Sequence, residues 1–390
     1  MRYLKFGKLD WEASVLGFGA MRLPLTSKNP ADVDEAESIR MIRYAIDHGV
    51  NYVDTAYLYH QGQGEPTVGR ALQHGYRQKV KLATKLPFWL VSSLEDCDRC
   101  LDEQLKRLQT DHVDFYLLHG MNKEWWPRLR DLGVLRWAEK AMAHGRIGYL
   151  GFSFHDDFEV FKDIVDSYDN WTLCQIQYNY MDIAYQAGIK GLRYASEKGL
   201  AVVIMEPLRG GQLSKEPPAE VARLWARARQ KRTPAEWALQ WVWNHLEVSL
   251  VLSGMTAMEH VVENIAIANR SGPGTLPADE LRLIDQVREA YRKLSPVPCT
   301  NCGYCMPCPQ GVLISTIFEL YNDAIVYNDL ANPRFTYRIQ LQDGQRADQC
   351  AECKECILIC PQRIQIPKWL QKAHALLGTK PKPPSTDKGS

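Results

Sequence analysis

A chain of 390 residues is long enough for two domains, or for one large barrel with an addition. Lys plus Arg number 47 against 46 Asp plus Glu, a formal net charge of +1, so the basic excess that a nucleic-acid partner requires is missing. Hydrophobic residues make up 45%, enough for a large core, yet no apolar run reaches the length of a membrane span and Met1–Gly19 lacks an export-type apolar stretch; the expectation is a cytoplasmic protein.

From Ser14 onward, short β-rich apolar runs alternate with amphipathic stretches. The predicted strands are Ser14–Ala20, Asn51–Ala56, Val80–Lys85, Val113–His119, Ile147–Ser153, Leu173–Tyr178, Ala201–Glu206 and Val248–Ser253. Asp34–His48 puts Ile39, Ile42, Ala45 and Ile46 on one face and stops at Gly49, a helix C-cap signal. Leu94–Leu108, Trp126–His144 and Tyr185–Lys198 read as further helices, and Thr233-Pro234 opens another, Ala235–His245. Such βα alternation over about 250 residues predicts a (β/α)8 TIM barrel. A doubly wound sheet is the rival, but no GxGxxG follows an early strand.

Four polar residues stand at the ends of successive predicted strands: Asp54 and Tyr59 in DTAYLY, Lys85 in LATK and His119 in LLHG. In a parallel barrel the C-terminal strand ends face one mouth, so groups this far apart in sequence could meet there. Singly, each has a bland reading as a solvated lysine or a hydrogen-bonded loop histidine. Phe88, Trp89, Trp125 and Trp126 follow these ends and either wall a substrate pocket or simply pack. Trp237 and Trp241, four apart on one helix, read as core, as does Cys174 on a strand; Cys97 and Cys100 form a lone CxxC that cannot complete a metal site.

A helix over Asp279–Lys293 is broken by Ser295-Pro296-Val297-Pro298, which sets the expected domains at 1–295 and 296–369, with 370–390 a tail whose polar end, KPKPPSTDKGS, is expected to be disordered. The second region carries Cys299, Cys302, Cys305 and Cys308 before Pro309, then Cys350, Cys353, Cys356 and Cys360 before Pro361. The latter run, C-x2-C-x2-C-x3-C-P, is the bacterial ferredoxin spacing for a [4Fe–4S] cluster. In two-cluster ferredoxins the fourth cysteine of each run serves the other cluster. That rule assigns one cluster to Cys299, Cys302, Cys305 and Cys360, and the other to Cys350, Cys353, Cys356 and Cys308. Two zinc sites of four cysteines each are the alternative, though zinc more often takes two CxxC pairs across a longer loop.

The DTAxxY run at 54–59, the Lys85 strand end, LLHG at 117–120, GFS at 151–153, CQIQYN at 174–179, EPLRGG at 206–211 and VVENI at 261–265 resemble the aldo-keto reductase superfamily. With the C-terminal cysteines, the chain resembles its branch fused to a ferredoxin-type 2[4Fe–4S] domain. The resemblance implies a TIM barrel followed by a small ferredoxin-like domain, and interconversion of a small-molecule carbonyl and alcohol. Tyr59 would be the acid/base, Lys85 and Asp54 would tune it by bringing its phenol nearer to working pH, and His119 would orient the carbonyl. Tyr57 is the competitor, set where the family pattern does not place the acid. The resemblance also implies nicotinamide-dinucleotide contacts at Ser153, Gln175, Met205, Pro207, Leu208, Ser253, Gly254, Met255, Glu263 and Asn264. The family often grips the 2′-phosphate of NADP with a Lys and an Arg; those positions are Gly254 and His260 here, which leaves NAD(P)(H) open between its two forms.

Three functional readings stand at this stage. The clusters relay electrons to or from a ferredoxin-like partner while the barrel oxidises or reduces its substrate. Alternatively, the protein is an ordinary NAD(P)H-dependent reductase with purely structural clusters, or a non-catalytic redox sensor or interaction protein that keeps the barrel as a scaffold. The four positioned polar groups argue against the last.

Overall fold

The computed structural model describes residues 1–27, 29–299, 305–360 and 362–379. These form two compact units, one of Met1–Ser214 with Arg232–Leu281, the other of Lys215–Lys231 with the chain from Arg282 onward. In the first unit the strands β1 (Leu16–Gly19), β2 (Tyr52–Asp54), β3 (Lys81–Leu86), β4 (Val113–Met121), β5 (Ile147–Phe154), β6 (Leu173–Gln177), β7 (Ala201–Met205) and β8 (Leu250–Gly254) pair in chain order and in parallel. β8 closes on β1, with Val251 opposite Leu16 and Gly254 opposite Gly19. The protein is thus a TIM barrel of the expected class.

The barrel interior is filled by alternate strand residues, including Tyr52, Ala83, Phe115, Leu117, Leu173, Val203 and Leu250. An antiparallel pair that the sequence reading missed, Tyr3–Lys5 with Glu12–Ser14, precedes β1. It carries Phe6 against Tyr52 and Phe115 at the N-terminal end of the strands, with ring centroids 5.9 and 5.1 Å apart. These rings close the barrel interior at that end.

The helices start where local capping dictates. Asp34 accepts from the Glu37 amide, Ser93 and Asp96 form a capping box, and Thr233 accepts from the Glu236 amide ahead of Pro234. One expectation is corrected: Trp126–His144 is two helices, Trp125–Leu132 and Val134–Ala143. Gly133 at φ 90 ends the first, a conformation that costs glycine nothing. Helices at Gly64–Ala71, Phe158–Asp166 and Met258–Asn269 complete the ring. Trp237 and Trp241 are buried, as expected of core residues.

The second unit has its own apolar core, in which Val297, Val312, Ile317, Phe318, Tyr337, Ile366 and Leu370 are buried. It takes the helix Ala278–Leu294 from Arg282 on, ahead of the boundary expected at 295, and includes Ile314–Val326 and Ile366–Leu377, the latter running through the domain end expected at residue 369. Cys302, Pro361 and the tail from Lys380, whose end was expected to be disordered, lie outside the described residues.

Candidate functional site

Strand register explains how distant residues come together. Asp54 on β2 lies opposite Ala83, and Lys85 stands two residues further along β3; Lys85 lies opposite Leu117, and His119 stands two further along β4. Residues two apart share a face, and Ala83 and Leu117 point inward, so Asp54, Lys85 and His119 all point into the mouth. Tyr59 follows β2 at the start of a tight turn, Tyr59–Gly62. Gly64 makes room for it, because a Cβ there would stand 3.0 Å from the Tyr59 Cβ and 3.1 Å from its carbonyl oxygen.

The Lys85 ammonium, 1% exposed, donates to Asp54 Oδ1 at 2.6 Å, to the Thr55 carbonyl at 2.9 Å and to Tyr59 Oη at 3.3 Å. Burial works against its charge, but Asp54 and Tyr59 outweigh burial and hold the ammonium above its ordinary value. Burial raises the Asp54 carboxyl, against the pull of Lys85. Tyr57 is elsewhere: its hydroxyl donates to Glu103 at 3.0 Å and its ring lies under the Arg107 guanidinium.

The expectation that Lys85 makes the Tyr59 phenol acidic is corrected. Burial raises the phenol above its ordinary value, and the Lys85 charge, itself countered by Asp54 and Glu206, offsets only part of that. Tyr59 is therefore fully protonated at neutral pH. Burial, with the Lys85 charge and nearby His155, holds the His119 imidazole well below its ordinary value, so it is neutral. His119 Nδ1 has no hydrogen-bond partner. Its ring meets that of Tyr59 edge-on with centroids 6.3 Å apart.

A cavity of about 760 Å3 opens over these groups. Asp54, Tyr59, Lys85 and His119 line it, as do Ser153, Gln175, Met205, Pro207, Leu208, Ser253, Gly254, Glu263 and Asn264. Met255, expected beside them, is buried and is not part of the lining. A register irregularity in β4 at Gly120, φ 59, turns that amide to donate to Ser153 Oγ at 2.7 Å, and Ser153 lies opposite Gln175. Gln175 Oε1 is buried without a partner. Asn264 Nδ2 donates to Ser253 Oγ at 3.0 Å. Phe88, Trp89, Trp125 and Trp126 are not in the cavity wall. Phe88 packs on Trp89 and Trp125, while Trp126 is buried against Trp171.

Sequence reasoning missed Arg22, His155 and Glu206, which line the cavity one to three residues beyond β1, β5 and β7. Adjacency to a strand end was the available signal. It also missed a buried bracket under Lys85, in which Gln104 Nε2 donates to the Lys85 carbonyl, Thr84 Oγ1 and Glu65 Oε1 at 3.0, 3.1 and 2.7 Å. Nothing local in the sequence marks these residues.

In the second unit, Cys308, Cys350, Cys353 and Cys356 line one small pocket, together with Cys305. Burial, and then Cys350, Cys353 and Cys308, push the Cys356 thiol up to about 11, which places these four within electrostatic reach of one another. That is the set assigned to one cluster by the exchange rule. Four clustered thiols suit an iron–sulfur group, with Lys354 beside them in the same pocket. The other assigned set includes Cys302, outside the described residues. Cys353 is exposed, whereas Cys299, Cys305, Cys308, Cys350, Cys356 and Cys360 are partly covered. Cys97, Cys100 and Cys174 are buried, and burial pushes the Cys97 thiol up to about 12, the state of an inert core residue.

The geometry is thus a closed parallel barrel with Asp54, Tyr59, Lys85 and His119 gathered at its C-terminal mouth. The sequence of residues 15–289 matches the aldo/keto reductase family, and residues 298–366 match a 4Fe-4S dicluster domain. The chain belongs to the aldo/keto reductase family. It is 27% identical to methylglyoxal reductase YeaE of Escherichia coli over 65% of its own length and 84% of the relative's. Its fold is similar to aldo-keto reductase AKR11C1 from Bacillus halodurans (TM-score 0.60, 28% identity, 74% of this chain and 96% of that one). An aldo-keto reductase from Klebsiella pneumoniae in complex with NADPH is similar to the same degree (TM-score 0.60, 26% identity, 74% and 95%).

Proposed function

We propose that the barrel interconverts a carbonyl and an alcohol on small molecules, with Tyr59 as proton donor in reduction and proton acceptor in oxidation. The supporting observation is the Tyr59 hydroxyl 3.3 Å from a lysine ammonium that is itself bound to Asp54. A phenol above its ordinary value keeps its proton at neutral pH, so the resting site is charged for reduction. Neutral His119 donates a hydrogen bond to the carbonyl oxygen and aims it at Tyr59. The Lys85 ammonium then stabilises the phenolate left when the proton moves, and Asp54 keeps that ammonium in place.

Ser153, Gln175, Met205, Pro207, Leu208, Ser253, Gly254, Glu263 and Asn264 would hold a nicotinamide dinucleotide, with Met255 behind them. The partnerless Gln175 Oε1 and the size of the cavity fit such a guest. Bound in reduced form, it supplies the hydride. The NADPH seen in the Klebsiella relative supports this reading.

The second unit would carry two [4Fe–4S] clusters that relay electrons to a ferredoxin-like partner. Two observations favour a relay over a staple: the unit has an apolar core of its own, and Cys353, which would be a ligand, is exposed. A hydride carries two electrons and a cluster passes one, so the coupling needs a carrier that accepts pairs and releases singles. The test is anaerobic: iron and sulfide analysis, NADH and NADPH titration, then alcohol oxidation with a one-electron dye. Turnover with NAD(P)H that survives loss of both clusters leaves the reductase and removes the relay.

A further inference from the structure

Tyr59 leads into a backbone conformation that its neighbours adopt at a cost. His60 follows at φ 54 and Gln61 at φ 53, two left-handed residues in succession, where L side chains are disfavoured. Glycine would take φ 54 freely, so a histidine there calls for a reason. A strained residue persists where its surroundings over-determine it. For His60 both ring nitrogens are engaged by the chain that follows β1. The Leu23 amide donates to Nε2 at 3.0 Å, and Nδ1 lies 3.1 Å from the Pro30 carbonyl oxygen. An amide N–H only donates and a carbonyl only accepts, so the two contacts together fix one tautomer, with the proton on Nδ1. Burial lowers the imidazole below its ordinary value, against the Pro30 and Ala20 carbonyls. At neutral pH the ring is therefore uncharged, and Nε2 keeps the lone pair that the Leu23 amide needs.

The two partners belong to one excursion of the chain. After the turn Ala20–Arg22 it doubles back: Leu25 pairs antiparallel with Val33, and the Thr26 and Asp34 amides donate to the Asp32 and Pro24 carbonyls, each at 2.8 Å. Leu23 precedes this excursion and Pro30 lies within it, so one imidazole pins its base and its body to the turn Tyr59–Gly62. Both joined segments wall the cavity, with Met21 and Arg22 on one side and Leu58 and Tyr59 on the other, while His60 stands outside the wall. The turn is closed on itself, because the Tyr59 amide donates to the Ala56 carbonyl and the Gln63 amide to the His60 carbonyl, both at 3.1 Å. Its orientation therefore follows whatever holds the His60 ring. Of the three bonds that the Lys85 ammonium donates, the one to Tyr59 is the longest, and its acceptor sits on this turn rather than beside a strand end.

We propose that His60 is a positioning residue for the acid/base: its imidazole fastens the Tyr59 turn to the chain after β1 and so fixes the phenol at its distance from Lys85 and from the reacting carbonyl. The proposal rests on the reading of Tyr59 above. It is tested with His60→Gly, which keeps φ 54 accessible and removes the ring, and with His60→Gln, whose Oε1 stands as many bonds from Cβ as the ring Nε2 and can accept from the Leu23 amide. Reduction of glyceraldehyde, propionaldehyde and benzaldehyde is followed with NADH and with NADPH. Dinucleotide affinity is measured by quenching of tryptophan fluorescence, and backbone exchange by mass spectrometry. In His60→Gly the amides around Leu23 should exchange faster and kcat should fall about tenfold or more, with KM and dinucleotide Kd within about twofold of wild type. His60→Gln should recover at least about a third of the wild-type kcat. Added to Tyr59→Phe, His60→Gly should cost nothing further, since the group it positions is already gone. Should His60→Gly not fold, His60→Asn, which tolerates the left-handed region and falls one bond short of the Leu23 amide, carries the same expectations. An unchanged kcat, a loss confined to KM or to dinucleotide affinity, no recovery in His60→Gln, or an undiminished loss in the Tyr59→Phe background would overturn the proposal and leave Tyr59 as the acid. Wild type inactive on all three aldehydes, or indifferent to Tyr59→Phe, ends the catalytic reading and this proposal together.

Discussion

The barrel mouth and the cysteine segment assemble their reactive groups in opposite ways. Asp54, Lys85 and His119 come from three strands and Tyr59 from the turn after the first of them; register and that turn together bring the Lys85 amine to 2.6 Å from Asp54 and 3.3 Å from Tyr59. The cysteines are neighbours in sequence. Cys308, Cys350, Cys353 and Cys356 share a pocket although two separate runs supply them. The difference is physical. Hydrogen bonds and a buried ion pair reward convergence in the barrel without any guest, whereas neutral thiols gain little by converging until metal–thiolate bonds replace their protons. The first site is preorganised by the fold; the second would be completed by a bound cluster.

The strongest way to break this contrast is Tyr59→Phe. Reduction should fall by about 10²- to 10⁴-fold in kcat with unchanged circular dichroism, because the phenol is the proton source and packs without its hydroxyl. Next is Cys356→Ser, which should lower bound iron and visible absorbance and reduce the thermal stability of the second unit. The stability of Asp54→Asn, scored in the barrel, would serve as its counterpart. Lys85→Met should cost about 3 kcal/mol in urea unfolding, because it strands the buried Asp54 carboxylate.

Smaller effects sharpen the comparison through pH. Since Tyr59 lies above its ordinary value of about 10, reduction should hold steady through neutral pH and fall only above 10, while alcohol oxidation should rise as pH increases. His119 titrates well below its unfolded value of about 6.5, so the unfolded chain takes up that proton first. Its contribution to stability is complete above about 6.5 and declines as pH falls towards the folded value. Urea midpoints measured from about pH 7 to 5 should slope less steeply in His119→Asn than in wild type.

Much of the barrel was legible because its signals are local. Each predicted strand overlaps an observed one, and Leu94–Leu108 matches its helix end to end. Of the aromatic cluster after Lys85 and His119, by contrast, sequence showed only proximity to strand ends; packing took Trp126 into the core and left Phe88 and Trp89 edge to face outside the cavity wall. The Trp126–His144 helix was overrun because amphipathic spacing continues across Gly133, and only its positive φ reveals the break.

The sequence by itself determined the alternation of strands and helices, the identity of the residues at the strand ends and the cysteine spacing, since these depend on neighbours along the chain. Tertiary structure alone decided that the Tyr59 phenol rises instead of falling and that Arg22 crosses Gly254 to Glu206. Those outcomes are set by burial and by distances between residues far apart in the chain, and neither is written in any local stretch of it.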